Sequence, residues 1–187
     1  MILTATEVTI YSNISASAAT ITTKQLIPSI QETVTMKTNN YFTTELYIEG
    51  TVEFNATART ITSSGSFEDM NFLAGDDVFV YNSHRNDGYY TVESVDGDEL
   101  TLASGSTVVD ELSGASVLIS VVKWPLEVKR IAAEMIAYDY DVRPKKRGLT
   151  SRSLGPLSES WGEATDSDGY PASITSKLSK YTMARLM

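Results

Sequence analysis

The stretch ASVLISVVKWPLEVKRIAAEMIAYDYDV, Ala115 to Val142, contains an abrupt change of hydrophobic period. Up to Lys123 it alternates in the manner of a β-strand, and after Trp124-Pro125 its apolar residues recur at helical spacing. Proline suits the first position of a helix, because the N–H group that it lacks would have no helical partner there. The stretch therefore predicts that a β segment ends and a helix begins at Trp124-Pro125.

The helix after Pro125 is predicted to bury one broad face. The centre of this face is predicted to hold Leu126, Ile131, Met135 and Tyr138. Its edges are predicted to hold Val128, Ala132 and Ile136. A second helix is predicted to start at Tyr170-Pro171 and to place Ile174, Leu178, Tyr181 and Leu186 along one side. Between the two helices the periodicity is lost, and residues 143–169 are predicted to form an extended loop.

The N-terminal residues 1–43 are also predicted to be helical. Thr4 and Glu7 have the spacing of a capping box at the start of a first helix. In a second helix Pro28 fits the first turn, and Asn39 is a good terminator because asparagine tolerates the left-handed conformation. Residues 1–43 and 124–187 are therefore predicted to form one small helical bundle.

Residues 44–123 have the composition of an all-β segment. They are rich in Thr, Val, Tyr, Phe and Gly, and turn signals such as Asn86-Asp87-Gly88 and Asp96-Gly97-Asp98 separate short alternating runs. Short strands at this spacing predict a small antiparallel sheet or barrel. The fold class expected for the chain is α+β, a helical bundle interrupted by an inserted β module.

Charge is divided unevenly along the 187-residue chain, whose net charge is −9. Residues 1–123 carry 16 acidic and 5 basic side chains, whereas residues 124–187 carry 8 acidic and 10 basic ones. The acidic part should repel nucleic acid, so a general DNA-coating role is not expected. No apolar run reaches the ~18 residues of a membrane span, and the N-terminus does not resemble a signal peptide. We therefore expect a protein made in the cytoplasm, with no membrane partner.

The sequence offers little to build a catalytic or metal site. It has no cysteine, which excludes thiolate chemistry and disulfides, and its one histidine, His84, lies in a predicted turn. The acidic run Asp96 to Leu100 lacks the spacing of a calcium loop and is interpreted as a hairpin turn. No phosphate-binding glycine motif is present. We expect no enzyme activity, no metal and no cofactor.

The loop after the central helix is the main candidate for a binding site. It carries a basic cluster of five side chains, then glycines, serines and one tryptophan; the candidate contact residues are Arg143, Lys145, Lys146, Arg147, Gly148, Ser151, Arg152, Ser153, Leu154, Gly155, Ser158 and Trp161. Cations complement the carboxyl end of a helix, which could account for part of the cluster. The other interpretation, contact with an acidic partner or with DNA phosphate, stays equally open. Trp161 either packs on the helices or anchors an interface.

Three consecutive segments resemble the head–tail connector proteins of tailed phages. They are VKRIAAEMIAYDYDVR, GLTSRSLGPLSESW and YPASITSKLSKY, which fit a central helix ending in arginine, a glycine- and serine-rich loop, and a final helix opened by Tyr-Pro. The resemblance covers residues 1–40 and 124–187. The segment from Phe72 to Ser104 is in turn similar to small β modules of phage virion proteins.

The resemblance implies a structural protein of the virion that completes the head. Identical subunits would form a ring, expected to be dodecameric, beneath the portal protein at the head–tail junction. The ring would help to retain packaged DNA in its channel and would offer the attachment surface for tail-side neck or tail-completion proteins. The loop at residues 143–169 would contact the portal or a neighbouring subunit.

Two alternatives are kept. One is a tail-completion or baseplate role in which the β module makes the contacts between proteins. The other is a β module that binds a glycan or another ligand on a platform formed by His84, Tyr89 and Tyr90.

Overall fold

The computed structural model describes residues 1–15, 17, 20–21, 25–114, 116–143, 151–154, 157–160 and 165–184. The chain divides into two compact units, a β unit that holds Met1 and residues 41–123 and a helical unit that holds residues 2–40 and 124–187. The β unit ends at residue 123, as the predicted switch at Trp124 requires. It begins at residue 41, three residues before the predicted start at residue 44. The expected α+β class, with helices from both termini and an antiparallel β module between them, is confirmed.

The β unit is a closed barrel of six antiparallel strands. The strands are β1 (Thr43–Asn55), β2 (Thr60–Ser63), β3 (Asp77–Tyr81), β4 (Gly88–Asp96), β5 (Glu99–Leu102) and β6 (Ser116–Val122). Their order around the barrel is β1-β2-β5-β4-β3-β6, and β6 pairs with β1 to close it. Closure gives every strand of the barrel a hydrogen-bonded neighbour on each side. β1 pairs with β6 over Thr43–Thr51 and with β2 over Val52–Asn55, so its two neighbours lie along different parts of its length.

Alternate apolar residues along the strands fill the barrel interior. Inward-facing residues such as Val52 and Phe54 on β1, Val78 on β3 and Ile119 on β6 are buried, whereas the residues between them face outwards. Phe67, from the connection between β2 and β3, is fully buried and meets Phe72 edge to face, with ring centroids 5.2 Å apart. The turn at Gly97, whose φ is +55°, joins β4 to β5, as the Asp-Gly-Asp signal predicts.

The segment after β5 crosses one end of the barrel and is held by a buried asparagine. Asn86 is 1% exposed. Its side-chain oxygen accepts from the Val109 N–H at 2.7 Å, and its amide nitrogen donates to the Val109 carbonyl at 3.0 Å and to the Glu111 carboxylate at 2.9 Å. Glu111 also accepts from the His84 N–H at 2.9 Å and pairs through its backbone with Phe54 on β1. The buried Asn86 side chain thus holds the segment from Val109 to Glu111 through three hydrogen bonds.

In the described part of the helical unit, three α-helices precede the short final one. The helices are α1 (Ala5–Ser12), α2 (Leu26–Thr38), α3 (Leu126–Ala137) and α4 (Ala172–Thr175). A π-helical turn, Tyr138–Val142, continues α3, and a 3-10 turn, Ser176–Tyr181, continues α4. The helices α1, α2 and α4 all pack on α3, which makes α3 the centre of this unit.

The predicted signals at the ends of α1 and α2 are confirmed. Thr4 and Glu7 form the capping box of α1, and Pro28 lies in the first turn of α2. Asn39 ends α2 in the left-handed conformation, with φ 47° and ψ 39°. Pro125 stands one residue earlier than predicted, at the cap position before α3.

The buried face of α3 differs from the predicted one at its start. Leu126, predicted as a central apolar residue, is 52% exposed, whereas Val128, predicted at the edge, is fully buried. Leu126 is the first residue of the helix. Ile131, Met135 and Ile136 are buried as expected. On the final helix Leu178 is buried, Ile174 and Tyr181 are only half-buried, and Leu186 lies outside the described residues.

The prediction of an extended loop over residues 143–169 was wrong for its middle. Ser151–Leu154 and Leu157–Ser160 are strands, β7 and β8, that pair antiparallel with Arg152 opposite Glu159 and Ser153 opposite Ser158. Each of these strands is only four residues long, too short for a clear β pattern, and the abundant glycine and serine residues around them indicated a loop instead.

Candidate partner-binding arm and its base

We call residues 144–164 the arm, and the described residues on either side of it, Arg143 and Thr165, belong to the helical unit. The arm follows Arg143, the last described residue of α3 and its π turn, and it precedes Thr165, which bridges to Pro171 in a tight turn. Most predicted contact residues belong to the arm: Ser151, Arg152, Ser153, Leu154 and Ser158 lie on β7 and β8, and Lys145, Lys146, Arg147, Gly148, Gly155 and Trp161 lie outside the described residues. Arg143 alone lies before it.

Arg143 is engaged within its own unit. Its Nη1 pairs with Asp139 Oδ1 at 3.0 Å, and its Nη2 donates to the Asp168 carbonyl at 2.7 Å. Its guanidinium lies 4.4 Å from the ring centroid of Tyr170, a cation–π geometry. The π turn creates this arrangement, since it widens the last turn of the helix and brings Arg143 over Tyr138 as well, at 5.8 Å. Arg143, which sequence analysis included among the candidate contact residues, is therefore paired within the helical unit just before the arm.

The end of the arm is fixed by a turn built on Asp166. One carboxylate oxygen accepts from the backbone N–H groups of Asp168 at 3.0 Å and Tyr170 at 2.9 Å. The other pairs with Lys37 of α2 at 2.8 Å, and Lys37 also pairs with Asp168. Gly169 has φ +80°, and a Cβ there would lie 3.4 Å from the Arg143 guanidinium, so this position needs glycine.

Tyr170 joins the two ends of the arm. It is 4% exposed, and its hydroxyl donates to Asp139 Oδ2 at 2.5 Å. Burial and this hydrogen bond raise the pKa of the Tyr170 hydroxyl, so it stays a donor at every physiological pH. We call Lys37, Asp139, Arg143, Asp166, Asp168 and Tyr170 together the arm base. It connects α2, the end of α3 and the turn before α4.

The arm base was missed in the sequence, apart from Arg143 and the Tyr-Pro pair. Its members are separated by up to 133 positions, from Lys37 to Tyr170, and nothing in local periodicity joins them. The signal that could have found part of it is DSDGY, Asp166 to Tyr170, because Asp followed by Gly is the pattern of a turn held by a carboxylate.

The carboxyl group of Asp166 gives the arm base a defined pH dependence. Burial alone would raise the pKa of Asp166, but the pair with Lys37 and the N–H groups of Tyr170 and Asp168 outweigh it and lower the pKa to about 2. A carboxyl whose pKa is depressed by folding stabilises the fold above its unfolded pKa, and this contribution disappears as the pH falls through the folded value.

We therefore expect Asp166→Asn to lower the free energy of unfolding by about 1–2 kcal/mol at pH 7, a figure reduced for solvent screening. The difference between wild type and variant should persist down to about pH 4 and shrink between pH 4 and pH 2. Urea denaturation at a series of pH values measures it. Asp168→Asn, which removes a more exposed partner of Lys37, is the matched control and should cost less. A pH-independent difference would show that the Asp166 charge does not stabilise the base.

An open groove of about 520 Å³ lies beside the π turn, between the end of α1 and α4. Tyr11, Ile14 and Val142 give it apolar walls, and Glu134 and Asp141 give it an acidic side. No histidine is among the described residues that line it.

The alternative ligand platform of His84, Tyr89 and Tyr90 stays a prediction, and the structure places its two tyrosines on different faces of the sheet. Tyr89 and Tyr90 are neighbours on β4 and face opposite sides of the sheet: Tyr89 packs outside against Phe79, and Tyr90 packs against the barrel core. The Tyr90 hydroxyl donates to the Asn86 carbonyl at 3.0 Å. His84 belongs to the barrel end where Glu111 accepts its N–H. Tyr89 therefore lies on the other face of the sheet from Tyr90, whereas Tyr90 and His84 are both connected to the barrel end through Asn86 and Glu111.

Within the described parts of the chain, no three histidine or carboxylate side chains converge as a metal site would require. No helix among the same residues has the length and apolar character needed to cross a lipid bilayer. No protein-family model matches the sequence, and a comparison with curated proteins gives no significant match.

Proposed function

We propose that this chain is a structural virion protein, a connector that completes the head of a tailed phage and joins it to the tail. In this role, copies of the chain form a ring beneath the portal protein, and the arm contacts the portal or a neighbouring copy. The ring helps to retain DNA and offers the surface on which the tail-side neck proteins land. The chain acts by assembly and not by turnover.

The observation that carries the proposal is the double attachment of the arm. The segment of 21 residues between positions 143 and 165 is flanked on both sides by residues that charged and aromatic contacts hold within one helical unit. Long connections in compact domains are usually functional. Holding the base rigid reduces the entropy lost when the arm meets a partner, which favours binding. The motif resemblance of the helices and the arm supports the same role.

Electron microscopy of particles from the source genome with this gene disabled tests the proposal. We expect DNA-filled or DNA-leaking heads separate from complete tails. Mixing these heads with the purified protein and with tails should then restore whole particles. Complete heads beside defective tails would assign the chain to tail completion or the baseplate instead, and intact virions would overturn any connector role.

The basic part of the arm should be needed for this rescue. Lys145→Glu/Lys146→Glu changes the net charge from −9 to −13 and reverses charge on the arm, so we expect at least a tenfold loss of rescued particles. Arg85→Glu/Lys123→Glu makes the same change of charge at exposed positions of the β unit and is the matched control. Equal rescue by both variants would show that the cations of the arm make no contact that matters.

A further inference from the structure

The outer face of the barrel carries a row of aromatic side chains that the interior does not use. Tyr47 on β1 lies opposite Ser120 on β6, Ser120 lies opposite Phe79 on β3, and Phe79 lies opposite Tyr89 on β4. This row therefore crosses four neighbouring strands. Ser120, the one small residue in this row, is 3% exposed.

The aromatic row is extended and held in place by its neighbours. Tyr41 stacks on Phe79 with ring centroids 4.4 Å apart, and Tyr81 lies next along β3, at 6.4 Å from Phe79. The Tyr89 hydroxyl donates to the Tyr41 carbonyl at 3.3 Å. Even so, Tyr41, Tyr47 and Tyr81 are 45%, 47% and 52% exposed. We call Tyr41, Tyr47, Phe79, Tyr81 and Tyr89 the aromatic face.

The charge around the aromatic face is negative. On the outer side of β1, Tyr47 is flanked by the exposed Glu45 and Glu49, and the outward positions of β1, β6, β3 and β4 include no lysine or arginine. Residues 41–123 contain 14 acidic and 3 basic side chains. Tyrosine rings beside carboxylates bind lysine and arginine well, because the ring face attracts the cation and the carboxylate pairs with it.

The basic counterpart occurs in the chain itself. Residues 145–152 contain Lys145, Lys146, Arg147 and Arg152 and no acidic residue. We propose that the aromatic face receives the basic part of the arm of a second copy of this chain. This inference rests on the assembly role proposed above for the arm, and it names the surface that the arm binds.

Such a contact joins two different surfaces, the arm of one copy and the aromatic face of the next. Contacts of this heterologous kind propagate head to tail and close into a ring when the rotation between copies permits. Each copy then both gives an arm and receives one. The uneven charge of the chain, negative in the β unit and positive in the arm, is explained by this pairing.

Two variants separate the two halves of the contact. Tyr47→Ser/Tyr81→Ser removes exposed rings from the aromatic face, and Lys145→Glu/Lys146→Glu/Arg147→Glu reverses the charge of the arm. Leu73→Ser/Leu112→Ser removes exposed apolar side chains, 64% and 82% exposed, from elsewhere in the β unit and is the control. Sedimentation velocity of the full chain over a range of concentrations and salt measures assembly.

We expect wild type and control to form oligomers that weaken with salt, and each of the two variants to associate at least tenfold more weakly. An equimolar mixture of the two variants should form a dimer and nothing larger, because only one intact arm and one intact face remain. Monomeric wild type at every concentration, wild-type assembly of the aromatic-face variant, or a mixture without dimer would overturn the inference. Failure here leaves the microscopy of gene-disabled particles to decide the connector role separately.

Discussion

Replacing Asn86 with alanine is expected to lower the free energy of unfolding of the β unit by about 3 kcal/mol. The substitution removes three hydrogen bonds at a position that is 1% exposed. It leaves the N–H and carbonyl groups of Val109 and one oxygen of Glu111 without their partner. A buried polar group that loses its partner costs about 1–3 kcal/mol, and the water that can enter the new space recovers only part of this.

Hydrogen exchange followed by mass spectrometry can measure this loss within the intact chain. Amides of β3 and β6 should exchange faster in the variant, whereas amides of α3 report on the helical unit and serve as an internal reference. Asn55→Ala is the matched control, because Asn55 is exposed and makes one local bond to the Ala58 N–H. If both variants cost the same, the barrel end is not held by Asn86.

The sequence predicted those parts of the fold that depend on neighbouring residues. The switch of period at Trp124, the capping box of Thr4 and Glu7, and the turn at Gly97 are local signals, and all three correspond to the structure. Each depends on backbone geometry within a few residues, which a single sequence displays directly.

The features that sequence analysis missed depend on contacts between distant residues. The barrel closes by pairing β1 with β6, and β2 with β5, across long stretches of chain. No local pattern fixes which edge strands meet. The role of Asn86 was hidden in the same way, since its partners Val109 and Glu111 come more than 20 residues later.

The basic and serine-rich segment stays a predicted contact site, and the sequence did not reveal how the residues on either side of it are held. Arg143 was grouped with the cations of the arm. In the structure Arg143 is satisfied by Asp139, Asp168 and Tyr170. A cation at the end of a helix looks the same in sequence whether its partner lies within the chain or outside it.

Replacing Tyr170 with alanine is expected to release the arm and to destabilise the helical unit by about 3–5 kcal/mol. The change removes a buried ring that lies 6.0 Å from Tyr138 and 4.4 Å from the Arg143 guanidinium. It also leaves Asp139 without its 2.5 Å hydroxyl donor. Because Tyr170 contacts both partners of the Asp139–Arg143 ion pair, the loss combines a cavity with a weakened ion pair.

Tyr170→Phe separates these two effects, since it keeps the ring and removes only the hydroxyl. We expect this variant to cost about 1.5–3 kcal/mol, the range for a hydrogen bond to a charged group. Urea denaturation followed by tryptophan fluorescence gives the free energies. Limited proteolysis then asks whether cleavage between residues 144 and 164 becomes faster, most in Tyr170→Ala and less in Tyr170→Phe.

The order of the two variants decides what the arm base does. If Tyr170→Ala is unstable but its cleavage in the arm matches wild type under native conditions, Tyr170 supports the helical core alone. If cleavage rises in both variants in proportion to the lost contacts, the hydroxyl and the ring both position the arm. Assembly by sedimentation should fall in the same order, because an arm with a loosened base loses more entropy when it binds.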